Sequence, residues 1–418
     1  MHIAKKTLIT LIGLTVTSIG FAANSVEHNV PPPQLASDLA IKFDIESRFA
    51  GCLSELKEKA LGEGVAARLI DETFPKLKPV KKVVELDAKQ PEFTDTFATY
   101  FNKRVNEYRI EKGRELFVTH KALLQNLTRE YGVPPQYILA FWGLETNYGG
   151  YLGGMPTLDS LATLACEPRR KAFFSGEFVA ALQLMERNQL DLDDLKGSWA
   201  GAVGHTQFMP TNYLKFAVDG DGDGVVNLWA SVPDALTSAA NFLRALGWQK
   251  ELRWGREVAL PKGFAYELAG VKNSKTLAQW KKLGVRTATN GVLPVVDGLN
   301  ATLLVPAGHQ GPAFLVYTNF DVIMGWNRSE SYALAVAHLA DRINGAGGLR
   351  FPPPVDAPRL MVEDVKKLQI KLNELGFDAG TEDGILGPST RNAIRGFQLQ
   401  QNLIADGYPA TEVFEKLK

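Results

Sequence analysis

A carboxylate that ends a strongly apolar helix just before a glycine turn is a candidate general acid. The run Phe141-Trp142-Gly143-Leu144-Glu145-Thr146-Asn147-Tyr148-Gly149 puts Glu145 in that place. Burial disfavours the ionised carboxyl, raises its pKa, and suits it to protonate a leaving oxygen near neutral pH. The competing reading of the same pattern is a helix-end Glu facing water. A second segment runs from Gly197 through Ser198, Trp199, Gly201, Gly204, His205 and Gln207 to Met209-Pro210. Its small residues allow close backbone approach, while Trp, Gln, Phe and Met can line a groove suited to a sugar chain. A tight helix–helix contact would explain the glycines equally well.

The third constellation is Asp219-Gly220-Asp221-Gly222-Asp223-Gly224-Val225. Oxygen ligands at loop positions 1, 3 and 5, glycine at 6, and the Val225 carbonyl at 7 follow the calcium-loop pattern. Asn227 is acceptable at position 9, but Ala230 replaces the usual bidentate Glu at 12. A structural Ca2+ is expected; sodium or an empty Asp-Gly turn are the alternatives. No organic cofactor is expected. His205 reads as a packed wall residue rather than a proton relay. Asp159 reads as an N-cap in Leu158-Asp159-Ser160. Cys and His offer no zinc spacing, and no Ser-His-Asp order stands out.

Helices must hold these groups. Residues 41–70 carry apolar positions at helical spacing. Pro134-Pro135 opens a helix whose face includes Tyr137, Phe141 and Leu144, with Gly149-Gly150 as its stop. Further helices are predicted over 234–246 and 330–343. Between 254 and 320 the texture turns to β, with Thr302–Val305 and Ala313–Tyr317 forming a hairpin. Pro31–Pro33 and Pro352–Pro354 read as stiff spacers. They delimit a large domain (35–350), a linker (351–358) and a small domain (359–418). The small domain echoes itself: Leu368-Gln369 leads to Asp383-Gly384, and Phe397-Gln398 to Asp406-Gly407. The fold class is mainly α, with a small β insertion.

Lys+Arg and Asp+Glu balance at 46 each, so no global field attracts nucleic acid or anionic lipid. With 45% hydrophobic residues, the chain can bury a sizeable core. Lys5 and Lys6, an apolar stretch to Ala23, and Gly20-Phe21-Ala22 form a secretory signal peptide over 1–22, an uncleaved anchor being the alternative. The mature protein is expected to be soluble, periplasmic and monomeric. Cys52 and Cys166 either pair as a disulfide or are two buried thiols.

The ETNYG and GSWAGAxGxxQFMP motifs, with Arg169-Arg170 between them and Trp326-Asn327-Arg328-Ser329 after, resemble the B-type lytic murein transglycosylases. Residues 360–418, with LQxxLxxLGF, DGxxGPxT and AIxxFQ, resemble a three-helix peptidoglycan-binding domain. The resemblance implies a lysozyme-like domain with Glu145 as the single catalytic acid and base. It places Ser198 and Gln207 in the cleft, and Arg169, Arg170, Trp326 and Asn327 around bound glycan or peptide. Trp326 and Phe242 stand where the best-known member has tyrosines, so those phenol hydrogen bonds should be absent. Asp234 matches the family's last calcium ligand. The implied reaction cleaves the MurNAc–GlcNAc β-1,4 bond and leaves 1,6-anhydromuramoyl ends. The implied partners are peptidoglycan strands, together with proteins of wall synthesis or hydrolysis. A hydrolytic muramidase on the same fold, or a non-catalytic wall-binding scaffold, are the alternatives.

Overall fold

Helix boundaries follow the glycines, prolines and caps of the sequence. The computed structural model describes residues 45–87, 95–271 and 273–417. The leader 1–22 and Pro31–Pro33 lie outside the described residues. The apolar 41–70 run becomes two helices, α1 (Ile45–Gly62) and α2 (Ala67–Thr73). They are separated at Gly64, whose φ of 86° ends the first. There follow α3 (Lys81–Asp87), α4 (Phe97–Arg104), α5 (Glu107–Thr119), α6 (Lys121–Tyr131) and α7 (Pro135–Thr146). A short pair, β1 (Met155–Pro156) and β2 (Lys196–Gly197), brackets α8 (Thr157–Cys166) and α9 (Lys171–Asn188). Next come α10 (Pro210–Phe216) and α11 (Val232–Ala245), the latter capped by Ser231.

Among the described residues, these helices share two hydrophobic cores. One gathers α4–α7 with α11 and with the later helical segments Thr318–Trp326 and Glu330–Ile343; the other gathers α1–α3 with α8–α10. Helix α11 lies between them, giving Leu236, Ala240 and Leu243 to the first and Ala235 and Phe242 to the second. A disulfide joins Cys52 of α1 to Cys166 at the end of α8 across 114 residues, which settles the cysteine alternative. Asp159 does not cap its helix. It sits in the first turn of α8, and its Oδ1 accepts the Lys78 amide at 3.0 Å, tethering the extended approach to α3.

The β insertion is a five-stranded antiparallel sheet made of β3 (Gly255–Ala259), β4 (Lys275–Thr276), β5 (Arg286–Thr287), β6 (Asn300–Leu304) and β7 (Ala313–Val316). Strand order is β4-β6-β7-β3-β5. The expected hairpin is β6–β7, with Thr302 opposite Val316. Helix α12 (Leu277–Lys282) buries Trp280 beneath the sheet, where its indole donates to the Ala301 carbonyl. The chain then returns to the first core through α13 (Thr318–Trp326) and α14 (Glu330–Ile343).

The C-terminal helices α15 (Val362–Glu374), α16 (Pro388–Gln400) and α17 (Thr411–Lys416) form a separate small core around Leu368, Leu372, Ile394 and Phe397. Its sequence echo is a structural repeat. Gln369 Nε2 donates to Asp383 Oδ1, and its Oε1 accepts the Gly384 amide. Gln398 makes the same two bonds with Asp406 Oδ1 and Gly407. In each copy the aspartate also accepts an amide two residues on, from Ile385 or Tyr408.

Candidate active site

Helix α7 delivers Glu145. Pro135 presets its first turn, and the residues from Tyr137 to Gly143 are buried, so the helix runs through the core and surfaces at Glu145, which is half-buried. The helix stops at Thr146, three residues before the glycines, because Asn147 and Tyr148 both turn left-handed at φ 54° and 61°. Tyr148 folds back over Gly143, where a Cβ would come within 2.7 Å of its ring, and its hydroxyl donates to the Arg109 carbonyl. Arg109 Nε in turn donates to the Gly143 carbonyl, closing the helix end.

The glycine-rich segment wraps this end. Gly149 faces His205, whose ring would lie 2.3 Å from an added Cβ. Trp142 Nε1 donates to His205 Nδ1 at 3.1 Å, and Thr146 Oγ1 donates to the His205 carbonyl at 2.7 Å. An accepting Nδ1 means a neutral ring carrying its proton on Nε2, and burial lowers the pKa of His205 accordingly. His205 is therefore a wall residue that fixes the turn after Glu145. Gln207, itself at φ 49°, donates from Nε2 to the Leu152 and Gly204 carbonyls, tying the two loops together. Ser198 Oγ accepts the Ala202 amide, holding the turn between them.

Trp326 and Tyr332 complete the site. The Trp326 indole donates to Glu145 Oε1 at 2.9 Å, and the Tyr332 hydroxyl donates to the same oxygen. The Trp326 ring packs on Phe141, Phe208 and Phe242 at 4.4, 5.5 and 5.2 Å between centroids. Positions 326 and 242 carry no phenol, as the sequence implies, yet Glu145 still has donors. An indole N–H supplies one donor, and a phenol from α14 supplies another. Asn327 Oδ1 accepts the Ser329 amide, and Ser329 caps α14, so this short turn sets the distance from Trp326 to Tyr332.

Residues 48–341 match the transglycosylase SLT domain family, and residues 362–417 match the peptidoglycan binding domain family. The chain belongs to the transglycosylase SLT domain family. It is 35% identical over 253 residues to the membrane-bound lytic murein transglycosylase B of Escherichia coli, a match spanning 58% of this chain and 66% of that protein. The structure of SltB3 from Pseudomonas aeruginosa in complex with NAG-anhNAM-pentapeptide is 40% identical, with a TM-score of 0.82 over 88% of this chain and 99% of that one. The Escherichia coli lytic transglycosylase Slt35 in complex with calcium is 29% identical, with a TM-score of 0.62 over 76% and 97% of the two chains.

The remaining candidate residues of this transglycosylase-family chain are held by contacts of their own. Arg169 and Arg170 both pair with Asp87, which is 1% exposed at the end of α3. Burial lowers both guanidinium pKa values to about 10, with the neighbouring Arg170 charge adding to the shift of Arg169. Arg170 also lies over the Phe174 ring at 4.5 Å. Here the pair locks the start of α9 to α3. Asp219, Asp221 and Asp223 bring carboxylate oxygens within 4.8 Å of one another. No ion pair among the described residues neutralises them, so the donor set fits a hard divalent cation. Asp234 lies outside that cluster: it is fully buried, and its two oxygens accept the Gly220 and Asn227 amides, clamping both ends of the loop. Tyr332 and Asp87 had no motif to announce them. The cue for Tyr332 was its place three residues after the N-cap serine of α14, on the turn that follows Trp326.

Proposed function

We propose that this chain is an exported enzyme that cleaves the MurNAc–GlcNAc β-1,4 bond of peptidoglycan without water, using Glu145 as acid and then base. The family membership supports peptidoglycan cleavage, and the convergence of Trp326 and Tyr332 on Glu145 Oε1 carries the single-residue reading. Glu145 first protonates the glycosidic oxygen as its bond to the muramic C1 breaks. The carboxylate then takes the proton of the muramic C6 hydroxyl as O6 bonds to C1, giving a 1,6-anhydro end. Two donors on one oxygen fix the carboxyl plane and strengthen as the carboxylate charge develops. A hydrolase would use a second carboxylate. Asp159, the carboxylate in the first turn of α8, is engaged by the Lys78 amide instead. Ser198 and Gln207 shape the adjoining wall.

In this reading 1–22 is removed on export, 35–350 is the catalytic domain, 351–358 the linker and 359–418 a wall-binding module acting in the periplasm. Among the described residues no helix is long and apolar enough to cross a membrane. The Cys52–Cys166 bond suits an oxidising compartment. Asp219, Asp221 and Asp223 with the Val225 carbonyl hold a structural Ca2+; the calcium complex of Slt35 supports this assignment. The test is mass spectrometry of muropeptides released from purified peptidoglycan by the wild type and by Glu145→Gln. Products one water lighter than reducing-end muropeptides, absent with the variant, are expected. Reducing ends would overturn the reading in favour of a muramidase.

A further inference from the structure

The C-terminal domain is docked in a defined place. Asp406 Oδ2 accepts the His309 amide at 2.9 Å and lies 2.7 Å from His309 Nδ1. A side chain at Gly308 would meet Asp406 and Tyr408 within 2.8 Å, so only glycine permits the contact. Between this domain, the β insertion and the segment Arg328–Ser331 lies a cavity of about 520 Å3. Its wall is largely aliphatic and aromatic, including Leu304, Phe320, Met324 and Ile385, but α16 lines it with Arg391 and Arg395 one helical turn apart.

Neither arginine forms an ion pair among the described residues. Arg395 is only 8% exposed; its Nη1 reaches Asn392 Oδ1, while its Nε and Asn392 Nδ2 are buried without a hydrogen-bond partner. Arg391 makes a single long bond, 3.4 Å to the Pro306 carbonyl. Of the acids that line the cavity, Asp95 is already paired with Lys103 and Arg359; Glu330, like Asp406 beside the cavity, favours the Arg395 charge through space, but neither of them nor Asp321 forms an ion pair with Arg391 or Arg395. The two guanidinium groups of α16, held in a low-dielectric cavity with unused donors, favour an anion of matching geometry.

Peptidoglycan restricts the choice of anion. Its N-acetylated sugars are uncharged where the lactyl group is amide-linked, so its carboxylates belong to the peptide. Resting on the glycan-strand reading of the Glu145 site, we propose that this cavity receives the peptide carried by the strand, with a peptide carboxylate bound by Arg391 and Arg395. The cavity wall Arg328–Ser331 is the turn between Trp326 and Tyr332, so a peptide seated there lies beside the segment that carries both donors to Glu145.

The test uses the full chain carrying Glu145→Gln, so that ligands survive, and reads equilibrium binding alone. Three glycan tetrasaccharides are compared: one bearing peptides, one with the peptide carboxylates amidated, and one without peptide whose lactyl groups are capped as simple amides. The peptide-bearing ligand is expected to bind about tenfold tighter than the other two, the scale of one charge-assisted hydrogen bond. Adding Arg391→Gln should erase that preference, and its effect should not add to that of amidation. Amidation needs no change at buried Arg395, so the outcome does not hinge on a variant that misfolds. Equal binding of amidated and unmodified ligand overturns the proposal. So does displacement of the peptide-bearing ligand by equimolar inorganic phosphate, which would assign the arginines to a phosphate-bearing polymer. Because binding alone is read, either failure is distinct from a failure of the cleavage reading, which the product masses decide.

Discussion

The two donors on Glu145 Oε1 give the reaction model a measurable consequence. Tyr332→Phe removes the hydroxyl and keeps the ring; Trp326→Phe removes the indole N–H and keeps an aromatic against Phe141, 4.4 Å away. A hydrogen bond to a neutral acceptor contributes about 0.5–1.5 kcal/mol, and one to a charged acceptor about 1.5–3 kcal/mol. Glu145 loses its proton as the glycosidic bond breaks, so each bond gains about 1–1.5 kcal/mol on the way to the transition state. Each single variant should therefore lower kcat about five- to tenfold on a soluble glycan fragment, with KM nearly unchanged. The double variant should fall about ten- to a hundredfold, short of full additivity because both donors share one oxygen. Glu145→Gln should abolish turnover. If both single variants kept kcat within about twofold of wild type, or lost only in KM, the donors would be holding the ground state and would contribute nothing specific to the transition state.

Three further outcomes follow from the scaffold. Replacing Cys52 and Cys166 by serine opens a loop of 114 residues and should cost about 5 kcal/mol in the chain-entropy model, read as a lower urea midpoint that reductant reproduces in the wild type. Calcium at millimolar concentration should raise Tm, and Asp223→Asn should shrink that rise while relieving repulsion among the three carboxylates without the ion; no shift with calcium would dismiss the metal. His338, buried beside Phe101, has a pKa lowered to about 4 by desolvation and by Arg342. The unfolded chain binds this proton below about pH 6.5 and the folded one only near 4, so stability should fall by about 3 kcal/mol across that window. His338→Gln should flatten the slope, and an unchanged slope would assign the acid loss to other groups.

The position of Glu145 was legible because every local cue agreed. Consecutive prolines, an apolar run and a glycine turn all specify a buried helix with a polar end, whatever lies around it. The partners of Glu145 were less legible. Trp326 and Tyr332 are 181 and 187 residues away and reach it only because α13 and α14 pack on α7, a contact no local pattern encodes. The same limit explains Arg169 and Arg170. An adjacent arginine pair carries no sign of its partner in the sequence, and only the fold brings buried Asp87 to it, 82 and 83 residues upstream. Asp159 failed for a local reason: Thr157 already begins α8, so the aspartate falls in its first turn and finds the Lys78 amide instead.

The small domain separates these two kinds of legibility within one repeat. Gln369-Asp383-Gly384 and Gln398-Asp406-Gly407 have matching residues, and the structure gives them matching hydrogen bonds, because those bonds are made within each helix-and-turn unit. Their outward roles differ. Asp406 uses its second oxygen to hold His309, whereas the first unit presents Ile385 and Leu386 to the cavity beside Arg391. The difference lies in the partner: Gly308-His309 is a turn of the β insertion that one copy meets and the other does not. Repetition thus supplied two equivalent turns, and docking divided them into a latch and a cavity wall. Replacing Asp406 by asparagine should therefore loosen the domain junction, since an amide keeps the internal bond to one oxygen but removes the charge facing His309. The equivalent change at Asp383 should leave the junction intact. Limited proteolysis of the 351–358 segment in both variants would expose a difference between the copies, and equal cleavage would show that the latch carries no weight.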